Sequence, residues 1–113
     1  MLRRAIPSAA LLMMLAACAT TDDLRARAPV YSGKTHLGVA NFVACVQERW
    51  INGGADRINY IPSDSHISLT SSGQTGVELL LDATGSPTGT TFQLYSRMAL
   101  GEKKFVSETE ACM

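Results

Sequence analysis

The sequence predicts a two-layer α+β fold, in which a long N-terminal helix packs on a four-stranded antiparallel sheet and a short helix ends the chain. Two observations predict it. Apolar residues recur with helical spacing between residues 35 and 51, and four later segments alternate between apolar and polar residues. Turn residues separate these segments, so the expected order of elements is α-β-β-β-β-α.

The first 17 residues have the layout of an export signal. Arg3 and Arg4 precede a mostly apolar stretch that runs from Ala5 to Ala17. As a helix this stretch would be about 20 Å long, too short for a hydrocarbon core of about 30 Å. We therefore expect residues 1–17 to be a cleaved signal peptide and not a membrane span.

The signal ends in Leu15-Ala16-Ala17-Cys18, which resembles the lipobox of bacterial lipoproteins. The resemblance implies cleavage before Cys18 and acylation of that residue. Several acyl chains on one residue together make a stable membrane anchor. The alternative is an ordinary secretory signal followed by a chance cysteine. Ala19, and not aspartate, follows Cys18, a pattern that in enterobacterial lipoproteins goes with the outer membrane, facing the periplasm.

Cleavage would leave 96 residues with eight basic and ten acidic side chains, enough for one small domain. No basic cluster remains, which argues against nucleic acid as a partner. Residues 18–34 are polar and show no apolar period, so we interpret them as the lipidated cysteine and a flexible tether. The domain is then expected over residues 35–113.

The long helix is predicted from about Thr35 to Ile51. Its apolar side chains fall at i, i+3, i+4, i+7 and i+11, on one helix face: Val39, Phe42, Val43, Val46 and Trp50. Asn52-Gly53-Gly54 follows, and these residues accept the positive φ angles that end helices.

The four strands are predicted over residues 57–61, 66–71, 76–83 and 90–98. Alternation assigns one set of side chains to the buried face: Ile58, Tyr60, Ile67, Leu69, Val77, Leu79, Leu81, Ala83, Phe92, Leu94 and Met98. Residues 84–89 carry two glycines and a proline and are interpreted as a hairpin loop. A short helix is expected between Gly101 and Met113.

The cysteine count predicts one disulfide. If Cys18 carries lipid, Cys45 and Cys112 remain as a pair in an oxidising compartment. Closing so long a loop stabilises a domain by roughly 4 kcal/mol in the chain-entropy model. The pair lacks the Cys-x-x-Cys spacing of a redox or metal site.

The segment Val43-Ala44-Cys45-Val46-Gln47-Glu48-Arg49-Trp50, followed by alternating strands and by Cys112, lies behind a lipobox. This combination resembles a group of small proteobacterial and phage-associated lipoproteins of unknown function. The resemblance implies the fold and a place in the cell envelope, and it supplies no activity.

The sequence predicts no catalytic, metal or cofactor site. The two histidines, His36 and His66, have no partner at ligand spacing. The run Ser63-Asp64-Ser65-His66 is better explained as a turn before a strand, because triad members converge from separate segments. Glu78 and Asp82 would be about 13 Å apart on one strand, beyond the roughly 5 to 9.5 Å of paired glycosidase carboxylates. We therefore expect no enzyme.

One possible binding surface is predicted on the face of the sheet that the helix leaves open. Ile61, Leu80 and Tyr95 occupy positions where alternation predicts exposure, with Arg97 nearby. They form a partner-binding patch if they adjoin; isolated exposed apolar residues are otherwise ordinary. The favoured function is an interaction module that binds another envelope protein. The alternative is an immunity or inhibitor lipoprotein that neutralises a toxin or a cell-wall hydrolase.

Overall fold

The described part of the chain, residues 20–113 of a computed structural model, forms a five-stranded antiparallel sheet and three helices. The elements in chain order are α1 (Thr21–Arg25), β1 (Tyr31–Thr35), α2 (Val39–Asn52), β2 (Ile58–Ser63), β3 (His66–Gly73), β4 (Gly76–Ser86), β5 (Gly89–Ser96) and α3 (Glu102–Glu110).

The order of strands across the sheet is β1-β5-β4-β3-β2. Strands β2 to β5 are joined by successive hairpins, so each lies beside the next along the chain. Strand β1 pairs with the free side of β5, where Tyr31 lies opposite Leu94. The long strand β4 is therefore central, and β1 and β2 are the two edges.

Helix α2 covers one face of the sheet with the predicted stripe. Phe42, Val43, Val46 and Trp50 are all fully buried in the core. The indole nitrogen of Trp50 donates to the Thr109 hydroxyl of α3 at 3.1 Å, which satisfies the one polar atom of that side chain. Helix α3 therefore closes the core beside α2.

A disulfide joins Cys45 of α2 to Cys112, directly after α3, with their Cα atoms 5.9 Å apart. This is the pair that the cysteine count leaves. It links positions 67 residues apart and holds the end of the chain on the first long helix. In the chain-entropy model such a link removes much freedom from the unfolded chain.

The expectation of four strands behind a leading long helix is wrong, although the α+β class is consistent with the structure. Residues 31–34, which the sequence places in the tether, form the fifth strand together with Thr35, and helix α1 precedes it. The long helix begins at Val39 and not near Thr35, because Thr35 is the last residue of β1. The strand was missed because Tyr-Ser-Gly-Lys-Thr has no apolar alternation.

Helix α1 packs on β4 and β5 on the face of the sheet opposite α2. A capping box begins it: the Thr20 hydroxyl accepts from the backbone N–H of Asp23, and the Asp23 carboxylate accepts from that of Thr20. Leu24 is fully buried. The centre of the second face is therefore covered, and the described chain has no long tether before the sheet.

Candidate functional site

A polar cluster lies on the second face of the sheet, where α1 crosses it. Alternation places His66 and Ser68 of β3 on this face, and the register brings Asp82 and Thr84 of β4 opposite them. Arg25 of α1, which lies on this face, donates hydrogen bonds to this group. The cluster thus unites residues from three elements that are far apart in the sequence.

Asp82 is the centre of the cluster. Its carboxylate accepts from Nε and Nη2 of Arg25 at 2.8 and 2.9 Å and from the Ser68 hydroxyl at 2.7 Å. Burial by itself raises the pKa of Asp82, but the hydrogen bonds from Arg25 and Ser68, with the Arg25 charge, bring it below its usual value. The hydrogen bond to Asp82 in turn raises the pKa of Arg25. Asp82 is therefore a charged group held by a bidentate partner.

The cluster contains serine, histidine and aspartate but lacks the geometry of a hydrolase triad. The Ser68 hydroxyl lies 3.2 Å from Nε2 of His66, but it donates to Asp82 at 2.7 Å, so its proton is not directed at His66. Nδ1 of His66 faces the Thr84 hydroxyl at 3.1 Å, whereas a triad places the carboxylate there. Arg25 also donates to the Asp82 carboxylate, the group that would orient the imidazole in a triad. The arrangement is suited to holding α1 on the sheet.

The predicted patch does not form as one exposed surface. Leu80 is buried, with no exposed area, because α1 covers this face, so its expected exposure is wrong. Tyr95 is half-buried. Arg97 binds the β3–β4 hairpin, where its Nε donates to the Val77 carbonyl at 2.7 Å. Of the four residues, only Ile61 retains a large exposed fraction, 48 %.

Ile61 belongs to a different feature, the open edge of the sheet at β2. This strand pairs only with β3, and all of its residues except Ile58 are exposed. Tyr60 beside it is 41 % exposed. Sequence alternation missed this edge because it distinguishes the two faces of a strand and not whether a neighbouring strand is present.

Other predicted site residues fall outside these features or outside the described residues. Cys18 and the signal lie before residue 20, where the description begins. Within residues 20–113, no three His, Cys, Asp or Glu side chains are grouped so as to hold a metal ion. In the same range, no helix has the length and apolar character to cross a membrane.

Comparison of the chain with protein-family models, curated proteins and solved structures found no match. A functional proposal therefore rests on the residues and surfaces described above.

Proposed function

We propose that this protein is a lipid-anchored, non-enzymatic interaction module of the bacterial envelope, which binds an extended segment of a partner protein along strand β2. The observation that carries the proposal is the open edge at β2, with Tyr60 and Ile61 both exposed. An edge strand presents backbone N–H and C=O groups that another strand can pair with.

The composition of β2 limits what can pair with it. Pro62 has no N–H group and cannot donate to an added strand, so pairing is expected along Ile58–Ile61, where alternate residues direct their N–H and C=O groups away from β3. Four residues of strand span about 13 Å. Tyr60 and Ile61 project to opposite faces of the sheet, so a matching segment brings apolar side chains to both. The expected occupant is a short extended segment with β-branched or aromatic residues at successive positions.

The proposed membrane anchor is a lipid on Cys18. Thr20 is the N-cap of α1, so only Ala19 separates this cap from the cysteine of the Leu-Ala-Ala-Cys motif in the sequence. Two Cα–Cα steps span at most about 7.6 Å. A lipid on Cys18 would then hold the domain against the membrane surface, and a partner has to reach the domain there.

Metabolic labelling tests the anchor. Radiolabelled palmitate should enter the protein and be absent from Cys18→Ser. Cys45→Ser is the matched control, because it removes a cysteine that the structure places in the disulfide, and it should keep the label. Labelling that persists in Cys18→Ser would contradict the anchor.

Site-specific photocrosslinking in cells tests the binding edge. A photoreactive residue at position 60 or 61 of the full chain should give a discrete crosslinked product. The same residue at Lys103, which is exposed on α3, should not. Ile61→Asp should abolish the product formed from position 60, whereas Leu100→Asp should not, because Leu100 is 86 % exposed and lies in the connection between β5 and α3, outside β2. Equal yields from positions 61 and 103 would refute docking at β2.

The identity of the captured protein separates the two forms of the proposal. A structural envelope component indicates a scaffold role. A toxin or a cell-wall hydrolase indicates an inhibitor.

A further inference from the structure

A cavity of about 550 Å³ lies at the end of the sheet where β1 meets the β4–β5 hairpin. Its volume is in the range of small-molecule sites, roughly 300–1,000 Å³. Residues from two distant parts of the chain line it: Lys34, Thr35, His36, Ser86, Thr88, Gly89, Thr90 and Thr91. The sequence gives no sign of this cavity, because about 50 residues separate its two walls.

The lining has one sign of charge. Lys34 supplies an ammonium group and His36 an imidazole, and the described residues of the lining include no carboxylate. The other lining side chains are hydroxyls of serine and threonine, of which those of Ser86 and Thr90 already donate to the Gly89 and Leu37 carbonyls. Such a wall offers hydrogen-bond donors and positive charge and matches an anion with several oxygen atoms.

The walls are held in place by the fold. Thr35 pairs with Thr90 in the sheet, and the Thr90 hydroxyl donates to the Leu37 carbonyl at 2.8 Å. Gly89 has a φ of 141°, and a Cβ at this position would collide with the Thr35 carbonyl oxygen. The hairpin thus approaches β1 as closely as glycine allows, and the cavity is built before any ligand arrives.

We propose that this cavity binds the phosphate group of a small molecule, with Lys34 as its charged partner and with the imidazole of His36 and the hydroxyl of Thr91, which lies opposite Lys34 in the sheet, as further donors. A lysine ammonium binds phosphate as a point charge. The cavity is larger than one phosphate needs, so it also admits the group that carries the phosphate. The carrier is either a soluble phosphate ester or a phospholipid headgroup, which share the chemistry that the cavity recognises. This inference is independent of docking at β2.

Nuclear magnetic resonance of the mature protein in a neutral detergent tests the proposal. Three probes are titrated separately: inorganic phosphate, glycerol 3-phosphate and short-chain phosphatidylglycerol. At least one should give saturable shifts of the backbone amides of residues 34–36, 86 and 88–91. Saturation by glycerol 3-phosphate alone identifies a soluble ester as the source, and saturation by the lipid alone identifies a headgroup.

Two lysine variants separate a site from general attraction to positive charge. Lys34→Met should weaken the best probe about tenfold or more, because it removes the charged partner. Lys103→Met removes an equally exposed lysine outside the cavity and should leave the affinity unchanged. An unchanged urea midpoint shows that each variant is folded. Shifts that do not saturate with any probe, or equal affinities of wild type and Lys34→Met, would overturn the proposal.

Discussion

Arg25→Ala measures how firmly α1 is held on the sheet. The guanidinium donates to both oxygens of Asp82, whose side chain is only 10 % exposed. Removing one partner of a buried ion pair costs about 3–5 kcal/mol. The Arg25 side chain is 39 % exposed, however, so water replaces part of what is lost. We therefore expect the free energy of unfolding to fall by about 2 kcal/mol, within the range for hydrogen bonds to a charged group.

Urea unfolding of the mature protein, followed by Trp50 fluorescence, measures this loss. Trp50 is the only tryptophan and is fully buried, so its emission reports loss of the core. For a domain of this size, 2 kcal/mol also corresponds to a decrease in Tm of about 8–16 °C. Arg49→Ala is the matched control, because it breaks a more exposed pair, Arg49–Glu108 at 3.4 Å. That change should cost at most about 1 kcal/mol.

The pH dependence of the same variant checks the cause. The folded state holds the pKa of Asp82 below its ordinary value of 3.8. Such a carboxyl group stabilises the fold above its unfolded-state pKa, and the contribution is lost as the pH falls through the folded-state pKa. The difference between wild type and Arg25→Ala should therefore be full at pH 7 and shrink below about pH 4.

Two results would refute the reasoning. One is an Arg25→Ala midpoint equal to that of wild type at pH 7. The other is that Arg25→Ala lowers the free energy of unfolding by the same amount in an Asp82→Asn background as in wild type. The contribution of Arg25 would then not depend on Asp82.

Three further changes test the packing of α1, the disulfide and the close approach of the β4–β5 hairpin to β1. Leu24→Ala removes the fully buried side chain of α1 and should lower the free energy of unfolding, measured in urea, by about 2–4 kcal/mol. A decrease below about 0.5 kcal/mol, the level of a surface change, would mean that α1 is not packed on the sheet. Cys45→Ser should lower the unfolding free energy by up to about 4 kcal/mol, and reductant should then change only the wild-type midpoint. Gly89→Ala should cost more than about 1 kcal/mol, because alanine is strained at a φ of 141° and meets the Thr35 carbonyl; an unaltered midpoint would contradict the close approach.

Most of the elements that the sequence predicts have side chains that face one core. Strand β2 is the exception, because Tyr60, which alternation assigns to the buried face, is 41 % exposed. In α2 the helical period runs from Val39 to Trp50 because each member packs on the sheet. In β3 and β5 the alternation of Ile67 with Leu69, and of Phe92 with Leu94, follows from the same contact. One buried surface dictates such patterns, so a single sequence is enough to recognise them.

The missed elements contribute little to that core. Strand β1 is an edge strand with Gly33 at its centre, and it is held by backbone pairing to β5, which every residue type except proline can make in full. Helix α1 has five residues and one buried side chain, Leu24. Its local signal is the pair Thr20 and Asp23, which form the capping box, and two residues of that kind are common in loops.

One feature of the sequence indicates that the second face of the sheet is covered, and it lies at Leu80. Residues 79–81 are three leucines in succession, whereas a strand with one wet face alternates. Continuous apolar runs are typical of strands that are buried on both faces. Alternation alone assigned Leu80 to solvent, but the run indicates a second layer, which α1 provides.

These layers decide where a function can lie on this fold. Helices α2 and α3 occupy one face of the sheet, and α1, fixed by Arg25 and Asp82, occupies the centre of the other. The remaining open parts of the sheet are its edges and strand ends, and both proposed sites lie there, at β2 and at the junction of β1 with the β4–β5 hairpin. The two proposed sites lie toward opposite edges of the sheet, so a partner at β2 would leave the proposed phosphate cavity free.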